Sequence, residues 1–286
     1  MKRLNPLRQK ATPYALAAPG VLFLFVFFAV PGLYLVQTSL QSGSYETGYQ
    51  FDWALANFGA VADYAPHFLR SFLYAGAATV LALLIAYPLM YWITRRGGRW
   101  KPLLMLCVVA PFFVTFLIRT LAWQTILQDN GAIVAALRAT PLLGDTDSLL
   151  ATPLAVICGL TYNYLALMAL PLYATLERLD GRLLEAAHDL YATPAVTFTR
   201  VTFPLSLPGV IAGCLLTFIP ACGDYVNAAL LGNPDTSMIG NVIQSKFLVV
   251  ADYPMAAALS CVVMAGILAV VVVWIGGLGA RKAMSV

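Results

Sequence analysis

The chain has 286 residues, of which 60% are hydrophobic and 10% are charged, and its mean hydropathy is +0.80. Soluble domains carry about a quarter charged residues, so this composition excludes an ordinary water-soluble globular protein. The formal net charge of +4 comes from basic clusters beside long apolar segments. This pattern indicates membrane lipids as partners and gives no argument for nucleic acid.

Charged residues are clustered along the chain and leave six long apolar intervals between them. Each interval is long enough, or nearly long enough, for the roughly 20 apolar residues that span a hydrocarbon core. They predict membrane-spanning helices near residues 14–37, 70–93, 102–127, 150–176, 206–231 and 254–278. The first is too long for the apolar part of a signal peptide, so we expect it to remain in the protein. The sequence therefore predicts an all-α integral membrane protein with six transmembrane helices in a single domain, 1–286.

Basic residues are distributed unevenly between the two sides of these helices. Thirteen of the 17 lie at the termini and at alternate connections. They are Lys2, Arg3, Arg8, Lys10, Arg95, Arg96, Arg99, Lys101, Arg178, Arg182, Arg200, Arg281 and Lys282. The remaining connections hold Arg70, Arg138 and Lys246, and Arg119 lies within a predicted helix. Because Lys and Arg are enriched on the cytoplasmic side, we expect both termini in the cytoplasm.

The connection 177–205 carries the most informative pattern. Leu183, Leu184, Ala187 and Leu190 recur at helical spacing with charged residues between them, which predicts a short amphipathic helix outside the bilayer. A second short helix is expected from Pro194 to Arg200, with Thr193 as its N-cap and Pro194 at its first position. Two short helices below a membrane bundle suit insertion into a cleft of a partner.

This connection resembles the EAA loop of bacterial ABC importer permeases. The resemblance rests on Glu185-Ala186-Ala187, on the position of Tyr191, and on the run Val201–Pro204. In that family the loop docks into the ATPase subunit. The resemblance therefore implies type I importer architecture, with ATPase coupling through Glu185, Ala186, Ala187, Asp189, Tyr191 and Pro204.

The family usually has glycine where this chain has Tyr191. Glycine would permit a sharp turn, including a positive φ that a bulky aromatic residue adopts only at a cost. Either the turn differs in this chain, or the tyrosine fills a gap in the partner's cleft.

Several blocks in the second half resemble permeases of spermidine/putrescine importers, with the putrescine branch nearest. They are residues 111–123, 129–131, 218–226 and 238–244. Permeases for iron, phosphonates and other small solutes share parts of these blocks. The resemblance implies a bacterial inner-membrane location, a second permease subunit, two ATPase subunits, and a periplasmic or lipid-anchored solute-binding protein.

Two ionisable residues, Arg119 and Asp224, fall inside predicted helices. A charge at the bilayer centre costs about 2.5 to 3.5 kcal/mol on insertion scales, so each needs a partner or water. Either Asp224 faces the translocation path and receives a substrate ammonium, or the two residues form a bridge that fixes helix packing. The further path candidates are Trp123, Tyr162 and Tyr225, which offer cation-π faces, and Asn163 and Asn227, which are polar at membrane depth.

The sequence lacks the motifs of an enzyme or an ATPase. It contains no GxxxxGK[ST] phosphate loop, no HExxH and no GxSxG, and its two histidines assemble no metal or catalytic cluster. We therefore expect no catalytic residue, metal or cofactor in this chain, with ATP and Mg²⁺ bound by partner ATPase subunits. The alternatives are an importer permease for a phosphonate, iron or an amino-acid derivative, a stand-alone secondary transporter, and a membrane enzyme.

Overall fold

The computed structural model describes residues 16–138, 144 and 148–283. The predicted helix start at residue 14 and the basic residues Lys2, Arg3, Arg8 and Lys10 lie outside the described residues. The described part of the chain is mostly helical, and five of its helices are long and apolar enough to cross a membrane. A strongly bent pair of helices brings this number to six if the pair is taken as one span.

The helices and strands follow one another with short connections. In chain order they are α1 (Leu16–Ser39), β1 (Gln41–Ser44), β2 (Gly48–Phe51), α2 (Ala56–Ala60), α3 (Ala65–Arg96), α4 (Lys101–Val109), α5 (Phe116–Leu127), α6 (Ala132–Arg138), α7 (Pro153–Glu177), α8 (Gly181–Asp189), α9 (Pro194–Cys222), α10 (Val226–Leu231), α11 (Ile239–Leu248) and α12 (Tyr253–Ala283). Two π-helical turns lie inside helices, Phe25–Ala29 in α1 and Phe198–Thr202 in α9. Four 3₁₀ turns lie between the helices, at Val61–Tyr64, Gly98–Trp100, Ala110–Phe113 and Pro234–Thr236.

The chain forms two compact units. In its described part, the first comprises residues 16–63 and 245–265. It contains an antiparallel hairpin in which Gln41 pairs with Phe51 and Ser44 with Gly48. Gly43 and Gly48 adopt φ values of 118° and 79°, which glycine reaches without a steric penalty. The all-α prediction did not include this hairpin, which lies in a connection between helices.

The second unit comprises residues 64–244 and 266–283 of the described chain. Its core is formed by α3, α7 and α9, where small side chains let the helices approach closely. Ala75, Ala78, Ala82 and Ala86 on α3 are fully buried. A Cβ at Gly213 on α9 would lie 2.8 Å from the sulfur of Met168 on α7. Small residues at helix contacts are typical of membrane bundles, where lipid removes the hydrophobic drive to associate.

Side-chain caps explain where three of the helices begin. Thr152 accepts a hydrogen bond from the backbone N–H of Ala155 at the start of α7, and Asp180 accepts one from Arg182 at the start of α8. Thr193 accepts from Val196 with Pro194 at the first helical position. This last cap confirms the predicted start, because the hydroxyl satisfies one of the free donors of the first turn.

Three predicted helices differ from the structure. The segment 102–127 is not a single straight helix, because it bends by 93° between Gly98–Phe113 and Phe116–Leu127. The segment 206–231 is likewise broken after Cys222 and resumes at Val226. The predicted short helix 194–200 is not separate, because the π turn Phe198–Thr202 joins it to the rest of α9. Hydropathy measures the length of an apolar segment and does not register such bends or joins.

Candidate functional site

The segment 177–205, here called the coupling segment, presents an exposed amphipathic helix. Leu183 and Leu190 of α8 are 46% and 82% exposed, although both are apolar. Glu185, Ala186 and Asp189 are also exposed, and Ala187 is half-buried. Pro204 lies on α9 just after the π turn Phe198–Thr202 and is exposed. An uncovered apolar face on a charged helix is a surface suited to a protein partner.

Tyr191 ends α8 in the left-handed conformation, with a φ of 55°. The backbone N–H of Tyr191 donates to the carbonyl of His188 (2.9 Å), and that of Ala192 donates to Ala187 (3.0 Å). These two bonds define a Schellman cap, whose left-handed position is usually glycine. The turn that glycine would permit is therefore made by a tyrosine, whose side chain is 97% exposed.

Arg119 lies on α5, just after the 93° bend, and is 8% exposed. Its Nη1 donates to the carbonyl oxygen of Asn163 (3.2 Å). Its guanidinium carbon lies 5.4 Å from the ring centroid of Phe112 and 5.7 Å from that of Phe116. Phe112 precedes the bend and Phe116 follows it, so the guanidinium makes a cation-π contact with one ring on each side of the bend.

A buried hydrogen-bonded network connects α5, α7 and α10. The Nδ2 of Asn163 donates to Thr120 Oγ1 and to Asn227 Oδ1, both at 3.0 Å. The Nδ2 of Asn227 donates in turn to Asp224 Oδ2 at 3.1 Å, and the Tyr164 hydroxyl donates to the same oxygen at 2.9 Å. Such bonds satisfy polar groups that the membrane interior cannot hydrate.

Asp224 lies in the break between α9 and α10, not inside a helix as predicted. It is 6% exposed, and its Oδ1 accepts the backbone N–H of Asn227 (2.8 Å), which caps α10. The bridge between Asp224 and Arg119 considered above is not formed, since neither residue takes part in an ion pair within the described chain. Neutral donors surround the carboxylate because the helix break brings backbone and amide N–H groups to it.

The aromatic path candidates lie in two separate parts of the structure: Trp123 and Tyr162 line one cavity, and Tyr225 does not line it. The rings of Trp123 and Tyr162 lie 5.5 Å apart, and together with Arg119 they line a cavity of about 330 Å³. Tyr225 is 45% exposed and contributes its backbone oxygen to Asn241 Nδ2 (2.8 Å). Asp224, Tyr225 and Asn227 are not among the described residues that line this cavity.

Sequence reasoning missed three residues that contact the predicted site residues. Thr120 completes the network, and Phe112 and Phe116 hold Arg119. Phe116 lies three residues before Arg119, so its contact had a helical-spacing signal. The contact of Thr120 with Asn163 joins positions 43 apart in the sequence, and nothing local predicts it.

Solved structures of ABC transporters share the fold of this chain. The structure matches that of a bacterial ABC transporter involved in the import of the acidic polysaccharide alginate, with a TM-score of 0.70 and 18% sequence identity, over 97% of this chain and 99% of that one. A bacterial alginate ABC transporter in complex with an alginate pentasaccharide-bound periplasmic protein gives a TM-score of 0.65 with 19% identity, covering 98% of each chain. At these identities the likeness shows the fold alone.

The sequence then places the chain in a family. It belongs to the family of binding-protein-dependent transport system inner membrane components, whose family profile matches residues 78–283. The chain is thus a multi-pass inner-membrane protein and a transport permease subunit. This finding favours the importer over the stand-alone secondary transporter and the membrane enzyme considered from sequence.

Curated relatives confirm the resemblance to spermidine/putrescine permeases. The chain is 36% identical to the spermidine/putrescine transport system permease protein PotB of Haemophilus influenzae over 91% of its length and 90% of that protein. It is 36% identical to PotB of Escherichia coli over 84% and 88% of the two chains. It is also 31% identical to the inner membrane ABC transporter permease protein YdcU of Escherichia coli, over 73% and 71%.

Proposed function

We propose that this chain is one of two permease subunits of an ATP-driven importer of polyamines, with spermidine or putrescine as its solute. The assignment of the substrate rests on the 36% identity, over nine-tenths of both chains, to a permease named for spermidine and putrescine. The fold alone does not fix the substrate, since a protein of the same fold takes part in import of an acidic polysaccharide. The relatives favour polyamines over a phosphonate, iron or an amino-acid derivative.

The permease crosses the membrane six times with both termini in the cytoplasm. The bent pair Gly98–Phe113 and Phe116–Leu127 supplies the sixth crossing. The 13 basic residues on one side of the spans, against three on the other, support the orientation. The orientation assigns the hairpin β1–β2 to the outer face and the coupling segment to the cytoplasm.

The coupling segment transmits movement from the ATPase subunits. Its exposed leucines and the Schellman cap at Tyr191 support this role, because they form a rigid helical projection with an uncovered apolar face. Glu185, Ala186, Ala187 and Asp189 lie on this projection. The Tyr191 ring extends the apolar surface and fills a gap in the cleft of the ATPase subunit.

The energy source and the solute supply belong to partner subunits. ATP and Mg²⁺ bind to two ATPase subunits, in agreement with the lack of a phosphate loop in this sequence. A second permease completes the path, and a periplasmic or lipid-anchored binding protein delivers the solute. The neighbouring structure that contains a substrate-bound periplasmic protein supports this arrangement.

The solute passes the buried polar region where the two helix breaks meet α7. The paired rings of Trp123 and Tyr162 in the cavity offer faces for an ammonium group, and the separate network supplies the carboxylate of Asp224. Asn163, Asn227 and Tyr225 provide amide and carbonyl oxygens along the same route. Alternating access is driven from the coupling segment.

Uptake into proteoliposomes that contain the whole transporter tests this function. We expect ATP-dependent, saturable uptake of radiolabelled spermidine or putrescine that needs the binding protein and is reduced by excess unlabelled polyamine. Excess phosphonate or ferric iron should leave the rate unchanged. Uptake driven by an ion gradient without ATP, or competition by the other solutes alone, contradicts the proposal.

A further inference from the structure

Arg119 presents a charge problem for a path that carries cations. It lines the cavity beside Trp123 and Tyr162, yet within the described residues no carboxylate forms an ion pair with it. A fixed positive charge in a pore raises an electrostatic barrier to other cations. The residue therefore works against a polyamine unless its own position changes.

The ligands of this guanidinium are those that an ammonium group would use. Two aromatic faces, Phe112 and Phe116, lie under it, and the carbonyl oxygen of Asn163 accepts its Nη1. Aromatic rings and backbone oxygens are the usual neutral ligands of organic cations in proteins. Arg119 thus occupies a place that suits the headgroup of the proposed solute.

The surroundings of Arg119 are incompletely satisfied. Its Nε is buried without a hydrogen-bond partner, and so is the Oδ1 of Asn163, a residue that is 1% exposed. Buried polar groups are almost always paired, so an unpaired donor and an unpaired acceptor in contacting residues call for an explanation. One explanation is that Arg119 and a second cation bind at this position in turn. Ligands that serve two cations need not satisfy every polar atom of either one.

We infer that Arg119 is a tethered cation that occupies the ammonium position between Phe112, Phe116 and the Asn163 carbonyl in the unloaded permease, and that a polyamine ammonium displaces it. The tethered guanidinium closes the unloaded path to small inorganic cations. A solute with an ammonium group competes for the same ligands and moves the side chain aside. Selectivity for organic cations then arises from the aromatic faces, which favour weakly hydrated ions. The inference rests on the proposed function, since it needs a cationic solute.

Equilibrium binding separates this role from a structural one. The probe is radiolabelled spermidine, retained by the nucleotide-free transporter in detergent without the binding protein. Arg119→Gln removes the competing cation, so we expect it to bind spermidine at least about tenfold more tightly than the wild type, which corresponds to about 1.4 kcal/mol. Arg119→Lys keeps the charge and should bind within about threefold of the wild type.

A second substitution is expected to change spermidine affinity in the opposite direction to Arg119→Gln. Phe112→Leu is made in the Arg119→Gln background, where spermidine is the cation that meets this aromatic face, and Phe112 is 43% exposed, so leucine there disturbs little packing. We expect weaker spermidine binding in the double variant than in Arg119→Gln alone. A guanidinium that only clamps the bend predicts no further change from Phe112→Leu, because Arg119→Gln has already released the clamp.

The outcomes distinguish this inference from the proposed function. If the wild type takes up spermidine with ATP but Arg119→Gln binds it no more tightly, the tethered-cation role is overturned and the permease function stands. If the wild type takes up no polyamine at all, both fall. If Arg119→Gln fails to assemble, Arg119→Met takes its place, because it also removes the charge and keeps a long side chain: tighter spermidine binding supports the inference, and unchanged or weaker binding overturns it.

Discussion

Tyr191 is the residue at which this chain departs from the usual coupling loop, and the structure shows how it is accommodated. Its φ of 55° costs about 1 to 2 kcal/mol in a residue with a Cβ. The two Schellman hydrogen bonds hold the turn nevertheless. Nothing within the described chain covers the ring, which leaves its surface available for the proposed contact with an ATPase subunit.

Replacing Tyr191 by glycine should separate stability from coupling. The left-handed strain is relieved, offset in part by the greater freedom of glycine in the unfolded state. We therefore expect an unchanged or slightly higher melting temperature, and a several-fold loss of ATP-driven uptake because the ring no longer fills the ATPase cleft. Tyr191→Asn is the matched control, since asparagine tolerates a positive φ but lacks the ring. Full uptake by both variants would show that the ring has no part in coupling.

Asp224 has a structural and a proposed functional role, and neutralising it tests the second. Asp224→Asn keeps an oxygen for the Asn227 N–H that caps α10, so we expect the transporter to assemble. It removes the negative charge, so polyamine uptake should fall at least about tenfold if an ammonium approaches this carboxylate, a loss of about 1.4 kcal/mol. Uptake is measured in proteoliposomes at matched protein content.

Tyr164→Phe is the control for this prediction. It removes the hydroxyl that donates to Asp224 Oδ2 but leaves the charge in place. We expect it to retain more uptake than Asp224→Asn. Unchanged uptake by Asp224→Asn would remove this residue from the transport mechanism and leave it as the cap of α10.

Among the elements, the contact between α7 and α9 depends on glycine. A Cβ at Gly209 would lie 2.7 Å from the Cβ of Thr175 and 2.8 Å from the carbonyl oxygen of Pro171. Gly209→Ala should therefore force the helices apart and cost about 1 to 3 kcal/mol, seen as a lower melting temperature in detergent. Gly76→Ala is the matched control, because nothing lies within 4 Å of a Cβ there. Equal melting temperatures for the two variants would argue against close packing at Gly209.

The elements also show what the sequence could and could not predict. The cost of burying charge confines charged residues to the connections, so the positions of the spans followed from the intervals between them. The bend at Phe113–Phe116 did not, although Pro111 lies near it. Pro220 and Gly223 predict a bend before Asp224, but not the full break at residues 223–225. Proline is common in membrane helices that stay continuous, as Pro88 and Pro171 do here, so it does not by itself predict a break.

The candidate site was predictable in its members but not in its arrangement. Charge and polarity at membrane depth drew attention to Arg119, Asn163, Asp224 and Asn227. Their pairing depends on which faces of α5, α7 and α10 meet, and that is set by the two breaks. Of the two alternatives for these charges, the bridge between Arg119 and Asp224 is not formed, because the break turns the carboxylate toward Asn227 and Tyr164.

At the scale of the whole molecule, three features support the proposal that this permease works with partner subunits. Its sequence has no nucleotide-binding motif, its coupling segment leaves an apolar face uncovered, and its family consists of inner-membrane components of binding-protein-dependent systems. These features come from different parts of the chain. Together they support the proposal that energy and solute both reach this chain through other subunits.

The measurement that tests this claim most directly is affinity purification of the chain from its native membrane in mild detergent, followed by an ATPase assay. We expect ATPase subunits and a second permease to co-purify, and a binding protein loaded with spermidine or putrescine to stimulate ATP hydrolysis above the level given by the empty binding protein. Purification of the chain alone, together with polyamine uptake that an ion gradient drives without ATP, would contradict it.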